Sequence, residues 1–240
     1  MKRRHLLLSL LAFGLPEFAD AASGTVVLVT GATGQTGRLT VAALAGKGLV
    51  VRGMVRSAES AATLPSGVVA TIADVTQPAS LAAAVKGVNV IISTVGARFP
   101  IGGNGFAAVD WEGNRALIDA AKAAGVRHFI LLSAGSAGRD GFPYSWSISP
   151  YPWKAKSETH LRRSGVPYTI IAAGGLRDDP GGQQGVRLAT RDRYQSAGIS
   201  RADLAQVLAA CVGEPAAVRK TITVVNDEGM APGAWRGDFR

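Results

Sequence analysis

Residues 24–44 read GTVVLVTGATGQTGRLTVAAL. Residues 25–30 are a short apolar, β-branched run, which predicts a strand buried in a parallel sheet. The run leads straight into Gly31, Gly34 and Gly37, and then into an apolar-periodic helix carrying Leu39, Val41, Ala43 and Leu44. Strand, glycine turn and helix in that order make an anion site. The glycines let the backbone turn tightly and approach a diphosphate, while free N–H groups and the helix dipole face the negative charge. The spacing is G-x-x-G-x-x-G rather than G-x-G-x-x-G. Three glycines alone also serve as a plain turn; their place on the first strand of a long strand–helix alternation favours the nucleotide site.

The chain has 240 residues, 47% of them hydrophobic, which is enough for one well-buried domain. Charged residues make up 18% and the formal net charge is +9, so anionic partners are indicated. The basic residues are nevertheless scattered, without the Lys/Arg blocks or aromatic–basic stacking of a nucleic-acid surface. No Cys/His set has metal-ligand spacing, so no metal site is expected. The only cysteine, Cys211, lies in an apolar helical run and reads as core. Residues 1–23 stand apart from the fold. Lys2, Arg3 and Arg4 precede a mostly apolar stretch, and Ala19-Asp20-Ala21 supplies a small-x-small cleavage pattern. This is the layout of an export signal, with a twin-arginine character, and it predicts a periplasmic or exported protein. An uncleaved leader on a cytoplasmic protein is the alternative. The apolar run is too short to span a bilayer.

After the glycine helix, residues 50–55 (VVRGMV) form a second strand ending at Arg56. An acid at this strand end would bind a ribose 2′-hydroxyl, whereas an arginine accommodates a 2′-phosphate. Arg56 therefore favours NADP over NAD, the bland alternative being a solvated strand end. Residues 68–73 give a third strand, followed by Asp74 and Val75 beside an adenine, where Asp74 could equally cap a helix starting near Pro78. Residues 88–94 form a fourth strand whose end, Thr94-Val95-Gly96, lies at the point where strand order reverses and the ligand sits. A long helix over 106–124 and a fifth strand over 126–133 follow, with Ser133 at its carboxyl end facing the reacting groups. Residues 139–153 are irregular and rich in aromatics, which predicts a wall or lid over a substrate. A helix over 154–163, a sixth strand over 167–172, a glycine-rich connection over 174–185, a helix over 200–211 capped by Ser200 and a last strand over 221–225 complete the expectation. The fold predicted is a single Rossmann-like α/β domain over 24–228 with a doubly wound, mainly parallel sheet, then a poorly ordered tail over 229–240.

Taken together, TGATGQTG, MVRS, ADV, STVGAR, VDWEGNRALIDAAKAAGVRHFILLSA, KAKSETHLRRSGVPYTIIAAGGL and ISRADLA resemble the atypical short-chain dehydrogenase/reductase proteins. The resemblance is to the compact NAD(P)-binding group that includes flavin/biliverdin-IXβ reductases and NmrA-like proteins. It implies that Gly31, Thr33, Gly34, Gln35, Thr36 and Gly37 hold the diphosphate and Arg56 the 2′-phosphate. It places Asp74 and Val75 at the adenine, Thr94, Val95 and Gly96 near the nicotinamide ribose, and Lys156 near that ribose or the substrate. Larger relatives carry Tyr-x-x-x-Lys, but four residues before Lys156 stands Pro152, and the family's Arg-Pro-Gly is Ala172-Ala173-Gly174. The expectation is an NADP(H) reductase passing hydride to an aromatic or conjugated acceptor such as a flavin or quinone, with Ser133 orienting the acceptor. The alternative is a non-catalytic NADP-binding redox sensor or assembly factor with a protein partner.

Overall fold

β1 (Val26–Thr30) forms the middle of the sheet, with β2 (Val50–Val55) on one side and β4 (Val90–Ser93) on the other, both parallel to it. The structure, a computed structural model, describes residues 24–98, 102–138, 149–236 and 238–239. The leader, and residues 139–148 of the expected aromatic wall, lie outside them. The remaining strands are β3 (Val69–Ile72), β5 (His128–Ala134), β6 (Tyr168–Ala173), β7 (Gly175–Arg177), β8 (Gly185–Ala189), β9 (Gly198–Ser200) and β10 (Lys220–Asp227). The large sheet runs in the order β3-β2-β1-β4-β5-β6-β10-β8, and only the β8–β10 pair is antiparallel. Strand order therefore reverses between β1 and β4, where a ligand crevice opens at the carboxyl ends.

Both faces of this sheet are covered, which explains the unbroken apolar runs in its strands. Val27, Val29, Ile130 and Leu132 face one core, while Leu28, Phe129 and Leu131 face the other. The first core is covered by α1 (Gln35–Leu44) and α6 (Arg201–Ala210), through Val41, Leu44, Leu204, Val207 and Leu208. The second is covered by α3 (Leu81–Ala84), α4 (Asn114–Ala123) and α5 (Tyr151–Ser164), through Leu81, Leu117, Ile118 and Leu161. A short α2 (Ala58–Ala61), capped by Ser57, links β2 to β3. Among the described residues no helix is long and apolar enough to cross a membrane.

The structure corrects several expectations. The helix expected over 106–124 is π-helical over Ala107–Gly113 before α4 begins. Side chains take up the carbonyls that such a widened turn leaves: Asn114 Nδ2 donates to those of Val109 and Asp110, and Ser157 Oγ donates to that of Asp110 at 2.5 Å. Tyr151, Pro152 and Trp153 are the first turn of α5 rather than loop; proline so early in a helix gives up an N–H that has no partner there. Asp74 caps no helix. Its carboxylate accepts from the backbone N–H and hydroxyl of Thr76, closing a local turn. The glycine-rich connection contains β7, which pairs with β9, and runs into β8, which pairs with β10. The expected loose tail instead returns to the core: Trp235 and Phe239 are each 3% exposed and pack together edge to face. Ser200 caps α6 as expected, accepting from the Ala202 N–H at 3.1 Å.

Candidate functional site

The chain turns sharply after β1 because Gly31 adopts φ 71°, which side chains with a Cβ rarely do. Its carbonyl accepts from the Gly34 N–H at 2.9 Å, and α1 starts one residue later. Gly37 lets that helix sit against the turn: a Cβ there would lie 2.0 Å from the Gly31 carbonyl oxygen. α1 has no capping side chain and no acid in its first turn. Its first N–H groups are thus left for an outside anion, as a dinucleotide diphosphate requires.

A cavity of about 510 Å³ opens at this point. Gly34, Gln35 and Thr36 line one end, and Thr94, Val95 and Gly96 continue the wall from β4. Thr94 Oγ1 donates to the Thr30 carbonyl at 2.7 Å and so ties the two strand ends together. Gly31, Thr33 and Gly37 do not line the cavity; Gly31 and Gly37 shape the turn behind it. Arg56 stands exposed just beyond β2, and Asp74 follows β3, both outside the enclosed cavity. Val75 is buried beneath Gly113, where an added Cβ would come within 2.8 Å of it.

The far part of the cavity is built from β5, α5 and the segment after β6. Ser133 lines it as expected, but its hydroxyl donates to Glu158 Oε1 at 2.5 Å. Glu158 is 2% exposed and also receives Arg162 at 2.8 Å and Arg191 at 2.7 Å. A serine hydroxyl has one proton, and that of Ser133 is given to this carboxylate, leaving its oxygen able only to accept from a ligand. Lys156 is not at the cavity. It lies on the outer side of α5 with its ammonium 4.7 Å from the Trp153 ring centre. The lysine that lines the cavity is Lys154, paired at 2.8 Å with Asp110. Asp110 is 1% exposed, and its second oxygen accepts from the Ala97 N–H at 3.0 Å. Tyr151 lines the cavity beside them, and Tyr194 closes in from the other side. The Tyr194 ring rests so closely on Gly135 that a Cβ there would meet it at 2.3 Å.

Asp110, Lys154, Tyr194 and Arg201 are cavity residues that sequence reasoning passed over. For three of them the signal was helical phase. Asp110 precedes buried Asn114 and Leu117 at i+4 and i+7, so it is an acid on a core-facing stripe. Lys154 shares a face with buried Glu158 and Leu161, again at i+4 and i+7, whereas Lys156 is out of phase. Arg201 carries the same signal, preceding buried Ala205 and Leu208 at i+4 and i+7, whereas Tyr194 lies outside the α-helices and carries none. Among the described residues, no cluster of His, Cys, Asp and Glu could hold a metal ion.

The chain is also similar to known proteins. Residues 31–215 match a family described as NAD(P)H-binding. An uncharacterized chloroplastic protein of Arabidopsis thaliana is 34% identical over 206 residues, covering 75% of this chain and 63% of that protein. Protein TIC 62 of Pisum sativum is 29% identical, with 92% of this chain and 46% of that protein covered. The chain thus spans about half to two thirds of these two relatives. Sanguinarine reductase of Eschscholzia californica is 32% identical, with 81% and 85% covered. A solved structure from Bacillus halodurans, named for the NAD-dependent epimerase/dehydratase class, superposes with a TM-score of 0.78 at 25% identity, covering 87% of this chain and 96% of that one.

Proposed function

The chain belongs to the NAD(P)H-binding family, and from that premise we propose that it is an NADP(H)-dependent reductase delivering hydride to a small conjugated acceptor such as a quinone or flavin. One observation carries the reading. A single cavity joins an uncapped helix N-terminus on a glycine turn to a polar and aromatic pocket containing Lys154, Asp110, Tyr151 and Tyr194. The residues fit the cofactor: without a Cβ at Gly34 and Gly37 the turn closes tightly on the Gly31 carbonyl, and α1 has N–H groups to spare. Arg56 at the end of β2 supports the 2′-phosphorylated form.

A bound reduced nicotinamide supplies the hydride, and the protein positions it. Lys154, held by Asp110, offers an ammonium at the wall beside Gly96, suited to ribose hydroxyls or to an acceptor oxygen. Ser133 accepts rather than donates, because its proton is held by Glu158. The proton that accompanies the hydride is therefore not drawn from Ser133. The same commitment of Ser133 favours a second reading, a dinucleotide-binding sensor or assembly factor. Purified protein separates the two. NADPH oxidation with quinone or flavin acceptors supports the reductase, whereas NADPH binding without turnover of any acceptor supports the sensor. We propose further that the chain is exported, on the leader ending at Ala21; an intact Met1 on the native protein would refute this.

A further inference from the structure

We propose that Arg201, at the start of α6, is a second grip on the dinucleotide's diphosphate, closing on it across from the glycine turn. The proposal rests on the dinucleotide reading above and adds a residue to it. α1 and α6 pack side by side on one face of the sheet, through Val41 and Leu44 against Leu204, Val207 and Leu208. Their first residues open on the same cavity, Gln35 and Thr36 from one helix and Arg201 from the other. An anion held on the free N–H groups of α1 therefore shares its enclosure with this guanidinium.

The two helix starts differ in what they offer. α1 presents bare backbone, as described. The start of α6 is already satisfied, because Ser200 caps it. Its acid, Asp203, is turned to the Gly182 N–H at 2.7 Å and the Asn226 amide at 2.8 Å. What remains for a ligand is the Arg201 side chain. It is 16% exposed and pairs at 2.9 Å with Asp178, which is itself 63% exposed. An ion pair with one partner in water is weak and readily exchanged. A diphosphate offers the guanidinium two oxygens at fitting separation and a larger negative charge. The other cations on the cavity wall are less suited. Lys154 is held by buried Asp110, and Arg98 is exposed beyond β4.

Arg201 and Asp178 thus compete. Asp178 occupies the guanidinium when no dinucleotide is bound and gives it up on binding, which predicts opposite effects from removing the two partners. Equilibrium binding of NADPH, followed by its fluorescence, is measured on wild type, Arg201→Gln and Asp178→Asn, with adenosine 2′-monophosphate as a probe lacking the diphosphate. Arg201→Gln should weaken NADPH about tenfold, and Asp178→Asn should tighten it about twofold to threefold. Adenosine 2′-monophosphate should be unmoved by either. Thermal melting of the two variants checks that they fold. The proposal is overturned if both substitutions shift NADPH in the same direction, as a merely structural latch would. It is equally overturned if NADPH is unmoved and only the KM of a carboxylated acceptor rises, which would give the cation to the substrate. Wild type that binds no dinucleotide would overturn the underlying reading and this proposal with it.

Discussion

Gly37→Ala tests the glycine turn against the strongest opposing expectation. Alanine is the best helix former, and replacing an interior helical glycine ordinarily stabilises by about 1 kcal/mol. In this chain the added methyl would stand 2.0 Å from the Gly31 carbonyl oxygen, 2.7 Å from its carbon and 2.9 Å from Thr94 Oγ1. Bringing that contact to an ordinary separation requires a shift of roughly 1.5 Å. Gly31 is a poor candidate to give way, because it closes β1 at φ 71° and its carbonyl holds the Gly34 N–H. The helix would have to lift instead, pulling buried Thr40, Val41 and Leu44 from the core. Overpacking of this kind costs about 1–3 kcal/mol, and a rigid backbone neighbour places it near 3. For a chain of this length that lowers Tm by about 6–12 °C. The same shift moves the N–H groups meant for the diphosphate, so NADPH affinity should fall about tenfold or more. Gly103→Ala is the control, since no atom lies within 4 Å of its Cβ position. Thermal melting and NADPH titration of the two variants provide the assay. A Gly37→Ala protein as stable as wild type, with unchanged NADPH affinity, would refute the reasoning.

Further outcomes follow from other parts of the structure. Lys154→Ala should lower kcat/KM for NADPH-dependent reduction by about 100-fold, while Lys156→Ala stays within about threefold; equal losses would return the role to Lys156. His128 donates through Nε2 to Thr169 Oγ1, whose own proton goes to the Ala217 carbonyl, and burial pushes its imidazole down to about 4. The unfolded chain takes up this proton below its ordinary 6.5, whereas the folded chain resists until about 4. Stability contributed by neutral His128 is therefore complete above 6.5 and is lost as pH falls, by about 2 kcal/mol near pH 5 and about 3 kcal/mol once pH is below 4. Urea unfolding of wild type and His128→Gln at neutral pH and near pH 5 measures it, and an acid sensitivity identical in both proteins would rule His128 out. Trp235→Ala should cost about 3–5 kcal/mol in the same assay; a negligible loss would mean that the chain end is dispensable.

The parts of the structure legible in the sequence were those governed by local pattern. β1, the glycine turn, β2 and the Ser200 cap follow from residues adjacent in the chain, and they lie where periodicity and turn chemistry place them. β8 and β9 were missed because each opens on a glycine and each exists through a distant partner, β10 or β7. The π-helical turn was missed because its stabilising donors are side chains, one of them on α5. At the site the residue types were right more often than their partners. Ser133 was found by position, but only the fold shows that its proton belongs to Glu158, 25 residues away. The choice between Lys154 and Lys156 turned on helical phase, which the family resemblance that pointed to Lys156 does not carry.

The place of β10 between β6 and β8 bears on how the molecule can be made. The strands that carry the glycine turn are complete by residue 93, and each finds its neighbour among segments already synthesised. β8 does not. Its ladder partner is residues 223–227 of β10, which come well after it in the chain. A nascent chain can therefore assemble its nucleotide-facing half while residues 185–189 still wait, edge exposed, for that stretch to emerge. Long-range closures of this kind are the slow and aggregation-exposed part of folding. The far wall of the cavity, anchored by Arg191 to Glu158, is then the last part of the molecule to become real, and a truncated chain would possess a cradle without a room around it.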